Sequence, residues 1–296
     1  MPGWDFSAWN QARLNQVEAA LGAWVPESAP AGLGQAMRYA VLGGGKRLRP
    51  MLALAACESV QGLEAAALRA AAATELIHAY SLVHDDMPCM DNDVLRRGQP
   101  TVHVKFGQAT ALLAGDALQA LAFELLTPLD ESIPAAMQAK LCALLARAAG
   151  EAGMAGGQAI DLASVGLALS VAELKHMHEL KTGALLQASV MMGAACGQAS
   201  ESQLQALQTY GHAIGLAFQV VDDILDVTAD SATLGKTAGK DAEAGKPTYV
   251  SILGMTRSQA FAHDLYGQAI TALEASGLRN TLALKSLADV VVQRAH

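Results

Sequence analysis

Aromatic and charged residues are both scarce in this chain of 296 residues, at 4% and 16% of the sequence. The formal net charge of −8 excludes the broadly basic surface typical of nucleic-acid-binding proteins. The chain has only four cysteines, and no pair of them has the spacing of metal ligands. We therefore expect free, mostly buried thiols in a reducing compartment.

The sequence also lacks a secretory signal and an uninterrupted apolar run. Residues 1–14 contain no basic run followed by an apolar one. The most apolar stretch, Ala109 to Leu126, is interrupted by Asp116 and Glu124, which argues against stable membrane insertion. We expect a soluble, cytoplasmic protein.

Alternating β-branched residues are rare, whereas helical periodicity runs through most of the chain. Apolar residues make up 52% of the sequence, enough for one large core, and Ala and Leu dominate them. Clusters of glycine and proline separate segments long enough for helices, and none of them resembles a linker between domains. The sequence predicts an all-α protein, with residues 1–296 forming a single large antiparallel helical bundle.

A first acidic segment, His84 to Asp93, ends a long helical run and places four carboxylates close together. Asp85 and Asp91 are six residues apart and would not share a face of a regular helix, but Pro88 is expected to distort the helix and return Asp91 towards Asp85. Clustered carboxylates repel one another, and a divalent cation such as Mg²⁺ would relieve that repulsion. A solvated acidic helix end and a Ca²⁺ loop are the alternatives, although the glycine and closing glutamate of an EF-hand are missing.

A second acidic segment runs from Gln219 to Asp226. Gln219, Asp222 and Asp226 follow at i, i+3 and i+7, so they lie along one face of a helix. The alternative is an acidic stripe on a surface helix, which the apolar residues around the segment disfavour. Together the two segments suggest helix-borne sites that face each other across one cavity.

Basic residues follow glycines in several places, first in Gly43-Gly44-Gly45-Lys46-Arg47-Leu48-Arg49-Pro50. Glycine lets backbone amides approach an anion, and arginine offers paired donors to phosphate oxygens. Further cations lie near a glycine, before it at Arg96, Arg97 and Lys181 and after it at Lys236 and Lys246. Each could be a solvated surface charge. Taken together, the acidic and basic groups suit two diphosphates, one held through metal and one held directly.

Five motifs in this order resemble the all-trans, short-chain polyprenyl synthases, and among these the bacterial farnesyl diphosphate synthases (geranyltranstransferases) are most similar. The motifs are GGKRLRP, HAYSLVHDDMPCMDND followed by LRRG, KTG, FQVVDDILD, and GKTAGKD with GKP. The resemblance implies the isoprenoid synthase-like fold, a helical bundle around a central cavity. It also implies a homodimer and Mg²⁺ as the cofactor.

The resemblance assigns the acidic residues to metal binding. The expected Mg²⁺ ligands are Asp85, Asp91 and Asp222. Asp86 and Asp226 are expected to support them, as outer-shell or alternate ligands. The metal would bridge an allylic diphosphate, either dimethylallyl or geranyl diphosphate.

The resemblance assigns the other polar residues to the two substrates. The expected ligands of isopentenyl diphosphate are Lys46, Arg49, His78 and Arg97. The residues expected to neutralise the allylic diphosphate are Arg96, Lys181, Lys236 and Lys246. The Thr182 hydroxyl and the Gln219 amide would face the developing allylic cation. Asp85, Asp222, Lys181, Thr182 and Gln219 are therefore the expected catalytic residues.

The expected reaction joins isopentenyl diphosphate to the allylic diphosphate and yields farnesyl diphosphate and pyrophosphate. A geranyl or geranylgeranyl diphosphate synthase of the same family is the alternative. A terpene cyclase or a regulatory subunit fits less well, because the chain has a second set of diphosphate ligands and keeps both acidic motifs. In the family, bulk just before the first motif limits product length, so Tyr80 and Ser81 are the expected chain-length residues.

Overall fold

Helices form nearly all regular structure in the computed structural model, which describes residues 3–228 and 247–293. The first half contains α1 (Phe6–Trp24), a 3₁₀ turn (Pro30–Gly32), α2 (Leu33–Leu42), α3 (Leu48–Ser59), α4 (Glu64–Asp85), β1 (Leu95–Arg96), β2 (Gln99–Pro100), α5 (Val102–Phe106) and α6 (Gln108–Leu126). The second half contains α7 (Ala135–Ala149), α8 (Met154–Ala163), α9 (Val171–His178), a π turn (Glu179–Gly183), α10 (Ala184–Ala195), α11 (Glu201–Thr228), α12 (Tyr249–Leu253), α13 (Met255–Ala275) and α14 (Leu282–Gln293). The predicted all-α bundle is confirmed.

Side-chain caps explain where several helices begin. Asp5 accepts a hydrogen bond from the amide of Ala8 at the start of α1. Ser170 and Glu173 form a reciprocal capping box that starts α9. Gly107 separates α5 from α6 with φ of 89°, a backbone conformation that L side chains rarely adopt. These local signals set the register of the helices that carry the polar residues.

The core is built around α4, whose buried face is rich in alanine. Ala66, Ala67 and the run Ala70 to Ala73 are all fully buried. Short side chains let neighbouring helices approach closely, and α4 packs against α3, α6 and α10. Helix α10 in turn contacts α11, so the carboxyl end of α4 and the second acidic segment belong to one packed unit.

Helix α6 is long and apolar enough to cross a membrane by length and composition alone. Only 39% of its most apolar window is buried within the chain. The side chains of Leu112 and Leu113 are 47% and 56% exposed. The opposite face of α6 packs on α4, so the helix has an apolar surface that the described residues do not cover.

All four cysteines are free, as the sequence predicts. Cys57 and Cys196 are buried, Cys142 is half-buried and Cys89 is exposed. The expectation of mostly buried thiols is therefore wrong for Cys89, which lies in the turn after α4 rather than within a helix.

Candidate functional site

The first acidic segment folds back on the end of α4. The helix ends at Asp85, and the amide of Asp91 donates to the carbonyl oxygen of Asp85 at 2.9 Å. The amide of Asp93 likewise donates to the carbonyl oxygen of Asp86 at 3.1 Å. Pro88 opens this turn, because it cannot continue the helical hydrogen bonding. The predicted return of Asp91 towards Asp85 is confirmed.

The carboxyl group of Asp85 lies in a poorly solvated environment close to other carboxylates. Burial raises the pKa of Asp85 to about 6, and the neighbouring Asp91 and Asp86 carboxylates act in the same direction. The Lys181 ammonium opposes this rise in pKa, so the α4 carboxylate and a cation of the π turn share one electrostatic environment.

Asp86 has a different partner from Asp85. Its carboxylate is 2% exposed and accepts two hydrogen bonds from Nε of Arg96 and a third, of 2.6 Å, from Nη2. Arg96 reaches it from a two-stranded hairpin in which Arg97 and Gly98 both have positive φ, the geometry of a tight two-residue turn. Asp86 therefore positions the hairpin, in addition to the supporting role predicted for it.

The second acidic segment lies near the carboxyl end of α11. Asp222 is half-buried, whereas Asp223 and Asp226 are buried. Gln219 donates to Asp223 at 2.9 Å, and the amide of Tyr249 donates to the other oxygen of Asp223 at 2.8 Å. Asp223 was not among the predicted site residues, although a Gln–Asp pair at i and i+4 is a recognised helical contact.

Lys181 and Thr182 lie in the π turn between α9 and α10. Such turns are rare and occur often at functional sites. Lys181 Nζ lies 2.6 Å from Oδ2 of the buried Asp161 on α8. The Thr182 hydroxyl donates to Oε1 of Gln219 at 3.1 Å. The structure thus joins Thr182, Gln219 and Asp223 in one hydrogen-bonded chain.

Two glycines make room for this turn. A Cβ atom on Gly157 would lie 2.1 Å from the amide nitrogen of Lys181. A Cβ atom on Gly215 would lie 3.0 Å from the Cα atom of Gly183. The turn therefore sits against the backbones of α8 and α11, and larger side chains at either glycine would displace it.

The cations of the glycine-rich segment divide into two groups. Arg47 is buried and pairs with Glu18 at 2.7 Å and Glu75 at 2.6 Å, so it is a structural residue. Lys46 is exposed and Arg49 is half-buried. Burial lowers the pKa of Arg49, and the Glu75 and Asp222 carboxylates oppose this change. Arg49 therefore lies within the electrostatic reach of the second acidic segment.

His78 lies in the positive field of this group. Burial and the charges of nearby arginines, first Arg49 and then Arg97, hold its pKa well below the usual value. Arg97 donates a hydrogen bond to the carbonyl oxygen of Gly44. His78, Arg49 and Arg97 therefore form a cationic cluster in which the two arginines lie within electrostatic reach of the histidine ring. The predicted residues Lys236 and Lys246 lie outside the described residues.

The donor set fits a magnesium ion that a diphosphate helps to hold. Asp85, Asp91 and Asp222 offer the hard oxygen ligands that Mg²⁺ prefers. Within residues 3–228 and 247–293, no three acidic, histidine or cysteine side chains converge into a preformed metal site. Mg²⁺ commonly takes one or two carboxylates together with phosphate oxygens, so this arrangement is compatible with metal arriving with the substrate.

The sequence profile described as "Polyprenyl synthetase" matches residues 30–276. The chain belongs to the polyprenyl synthetase family. As a member of that family it is a prenyltransferase acting on isoprenoid diphosphates.

Named relatives and solved structures resemble this polyprenyl synthetase over nearly its whole length. Geranylgeranyl pyrophosphate synthase 4 of Arabidopsis thaliana is 44% identical over 99% of this chain and 79% of the relative. An FPP/GFPP synthase structure from Zymomonas mobilis is 40% identical, with a TM-score of 0.86 over 97% of this chain and 98% of the other. A geranyltransferase from Helicobacter pylori, complexed with magnesium and isoprenyl diphosphate, is 32% identical, with a TM-score of 0.84 over 99% and 98%.

A buried histidine lies beside the site of this polyprenyl synthetase. His178 is 7% exposed, and neither ring nitrogen has a hydrogen-bond partner among the described residues. It lines a cavity of about 70 Å³ together with Asp161, Lys181 and Gln219. Such a volume accommodates ordered water, which would satisfy the ring nitrogens. Burial lowers the pKa of His178 from 6.5 to about 4.

Replacing His178 by phenylalanine should weaken the pH dependence of stability. In the wild type, His178 makes a contribution to the free energy of unfolding that is fully present above pH 6.5. This contribution is lost as pH falls towards 4, because in that range only the unfolded chain takes up the proton. The loss amounts to about 3 kcal/mol at most. Urea unfolding at about pH 5 and about pH 7 measures it, with the exposed His176→Phe as the control. If the free energy of unfolding changed between about pH 5 and about pH 7 by the same amount in His178→Phe as in the wild type, the low pKa of His178 would be contradicted.

Proposed function

We propose that this chain joins isopentenyl diphosphate to an allylic diphosphate and releases pyrophosphate. The proposed site lies among the end of α4, the β1–β2 hairpin, the π turn and the acidic end of α11. One observation carries the proposal: Lys181, whose charge acts on Asp85 of the first acidic segment, lines one cavity with Gln219 and Asp223 of the second. Both acidic segments therefore belong to one electrostatic site that also contains the cations.

Isopentenyl diphosphate is assigned to the cationic cluster of His78, Arg49 and Arg97. Arg49 and Arg97 supply positive charge beside the neutral His78, and the exposed Lys46 borders the same glycine-rich segment. A diphosphate bound here would add negative charge beside these cations. Arginine suits this task because its donors match two phosphate oxygens at once.

The allylic diphosphate is assigned to the acidic segments and the remaining cations. Asp85, Asp91 and Asp222 would hold Mg²⁺, with Asp86 and Asp226 behind them. Magnesium, when bound, neutralises the negative charge that grows on the diphosphate as the carbon–oxygen bond ionises. Arg96 and Lys181 contribute fixed positive charge from the protein, and Lys236 and Lys246 are proposed to do the same. The magnesium and isoprenyl diphosphate named with the Helicobacter pylori geranyltransferase support this assignment.

The proposed reaction needs no oxidant and no cofactor other than Mg²⁺. The carbon–oxygen bond breaks, and its electron pair leaves with the diphosphate. The double bond of isopentenyl diphosphate attacks the allylic cation, and the released pyrophosphate accepts the proton whose loss restores a double bond. Oxygen atoms of Thr182 and Gln219 would face the cation, and the bond from Gln219 to Asp223 fixes their orientation.

The names of the curated relatives favour a twenty-carbon product. Several relatives at 44–45% identity are geranylgeranyl pyrophosphate synthases, so the geranylgeranyl alternative is better supported than the farnesyl expectation. One side chain favours fifteen carbons. Tyr80 is a large, half-buried residue five positions before Asp85, and its ring stands edge-on to the His84 ring with the two ring centres 5.7 Å apart.

Substitutions at Tyr80 and Ser81 test product length. Tyr80→Ala should lengthen the main product, because it removes the bulk at the proposed cavity floor. Ser81→Phe should shorten it to ten carbons, because it adds bulk one turn below Asp85. Chromatography of dephosphorylated products gives the chain length, and the wild-type product decides between fifteen and twenty carbons. Unchanged product in both variants would contradict the proposed floor.

We also propose a cytoplasmic homodimer that uses the exposed apolar face of α6. Leu112 and Leu113 would be covered by the second copy, which gives this face a partner other than lipid. Sedimentation of the purified chain tests the assembly, with Leu113→Glu expected to shift it towards the monomer.

The direct test of the proposed activity is turnover. The chain is incubated with isopentenyl diphosphate and either dimethylallyl or geranyl diphosphate, with Mg²⁺ or with a chelator. Elongated product that depends on both substrates and on Mg²⁺ is expected. A cyclic product formed without isopentenyl diphosphate would contradict the proposal.

A further inference from the structure

A second and larger cavity lies on another face of α4 from Asp85. Its volume is about 670 Å³, and it is bounded by α2, α4, the β1–β2 hairpin and α5. On α4 it is lined by Ala79, Val83 and Asp86, at i, i+4 and i+7. Its lining contains no residue of the π turn, α10 or α11. The cavity therefore adjoins the proposed catalytic site, with which it shares the Asp86–Arg96 pair and Arg97, but it does not extend to the π turn or α11.

The walls of this cavity are mainly apolar. Tyr39 and Leu42 from α2, Leu82 from α4 and Phe106 from α5 contribute to them. The Tyr39 and Phe106 rings meet edge-on at 5.4 Å, so aromatic faces form part of the wall. An apolar chain of ten to twenty carbons would lose its contact with water here.

Three cations line the same cavity without a carboxylate partner among the described residues. Arg38 donates to the carbonyl oxygens of Gly22 and Val25, and Arg97 donates to that of Gly44. The Lys105 ammonium lies 3.8 Å from the centre of the Tyr39 ring. The lining also includes the Glu27 carboxylate and the Arg96–Asp86 pair, so four cations and two carboxylates leave a net charge of +2 around this cavity in a chain whose net charge is −8.

We propose that this cavity is a second binding site for a prenyl diphosphate. The apolar walls would take the isoprenoid chain, and Arg38, Arg97 and Lys105 would take the diphosphate. Three cations match a multiply charged diphosphate better than the single charge of a fatty acid. The identity of the ligand rests on the proposed function, since a long-chain prenyl diphosphate is the expected product.

Binding at this cavity would reduce turnover. Arg97 cannot serve a diphosphate here and isopentenyl diphosphate at the same time. A ligand beside Arg96 would also disturb its pairing with Asp86, next to the proposed metal ligand Asp85. The site would therefore produce inhibition by accumulated product that excess allylic substrate does not relieve.

Charge reversal at Lys105 tests the site, because Lys105 is exposed and has no assigned part in turnover. Calorimetric titration with a non-reactive farnesyl thiodiphosphate should give two sites per wild-type chain. Lys105→Glu should weaken one of them by about tenfold and raise the product inhibition constant similarly, with kcat unchanged. Lys140→Glu makes the same charge change on the exposed surface of α7 and should alter neither value.

A second variant and two simpler ligands complete the test. Ala40→Phe should fill the cavity from α2 and remove the same binding site, with folding checked by thermal unfolding. Pyrophosphate alone and palmitate should each bind at this site at least about tenfold more weakly than the thiodiphosphate. One site per wild-type chain, or two sites unaffected by Lys105→Glu, would overturn the proposal. Two-site binding in a chain that does not elongate would instead count against the proposed function.

Discussion

Asp85→Asn and Asp222→Asn are each expected to lower kcat by about 10³-fold, equivalent to about 4 kcal/mol of transition-state stabilisation. Asparagine keeps the size of the side chain but removes the charge that would hold magnesium against the leaving diphosphate. Burial disfavours the ionised form of Asp85 and raises its pKa to about 6. A bound cation would favour its ionised form.

Steady-state turnover at saturating substrate and Mg²⁺ measures this loss. Asp116→Asn is the matched control, since Asp116 is an exposed carboxylate on α6 and the change in net charge is the same. The control should keep wild-type kcat. Full turnover in either Asp85→Asn or Asp222→Asn would show that the altered carboxylate does not take part.

The second large effect is expected at Lys181 and its partner Asp161. Lys181→Met should lower kcat by about 10²- to 10³-fold, because it removes a fixed positive charge beside the proposed allylic diphosphate. Asp161→Asn should lower kcat by about tenfold, because the ammonium keeps its charge but loses the partner 2.6 Å away that orients it. Asp161 is therefore a positioning residue in this account.

A double-mutant cycle distinguishes an effect of Asp161 on the orientation of Lys181 from a general effect on folding. If Asp161 acts through Lys181, the double variant should be no slower than Lys181→Met alone. The half-buried Lys175–Glu179 pair, with its charged atoms 3.6 Å apart, supplies a control pair with little expected effect. Additive losses at Lys181 and Asp161 would show that the two residues act independently.

Local patterns were sufficient to predict the fold class and the shape of the first acidic segment. Helical periodicity identified the bundle, because each helix buries an apolar face that recurs every three or four residues. Pro88 predicted the return of the chain over Asp85, since proline removes a backbone donor at a fixed place. Both features depend on residues close together in the sequence.

Partners that are distant in sequence could not be predicted in the same way. Asp161 lies 20 positions before Lys181, and only the packing of α8 on the π turn brings them together. The pairing of Arg96 with Asp86 depends on the hairpin turn, so no local pattern predicted it. Asp223 is different, because its contact with Gln219 spans only four residues and the spacing could have revealed it.

The central claim is that both acidic segments hold one diphosphate through shared magnesium. Mg²⁺-dependent binding of non-reactive geranyl thiodiphosphate tests it most directly, by titration of the wild type, Asp85→Asn, Asp222→Asn and the double variant. We expect each single variant to lose most of the affinity for the thiodiphosphate that the wild type gains with Mg²⁺. We expect the double variant to lose much less than the sum of the two single losses. A variant that keeps the full Mg²⁺-dependent gain, or strictly additive losses, would contradict a shared site.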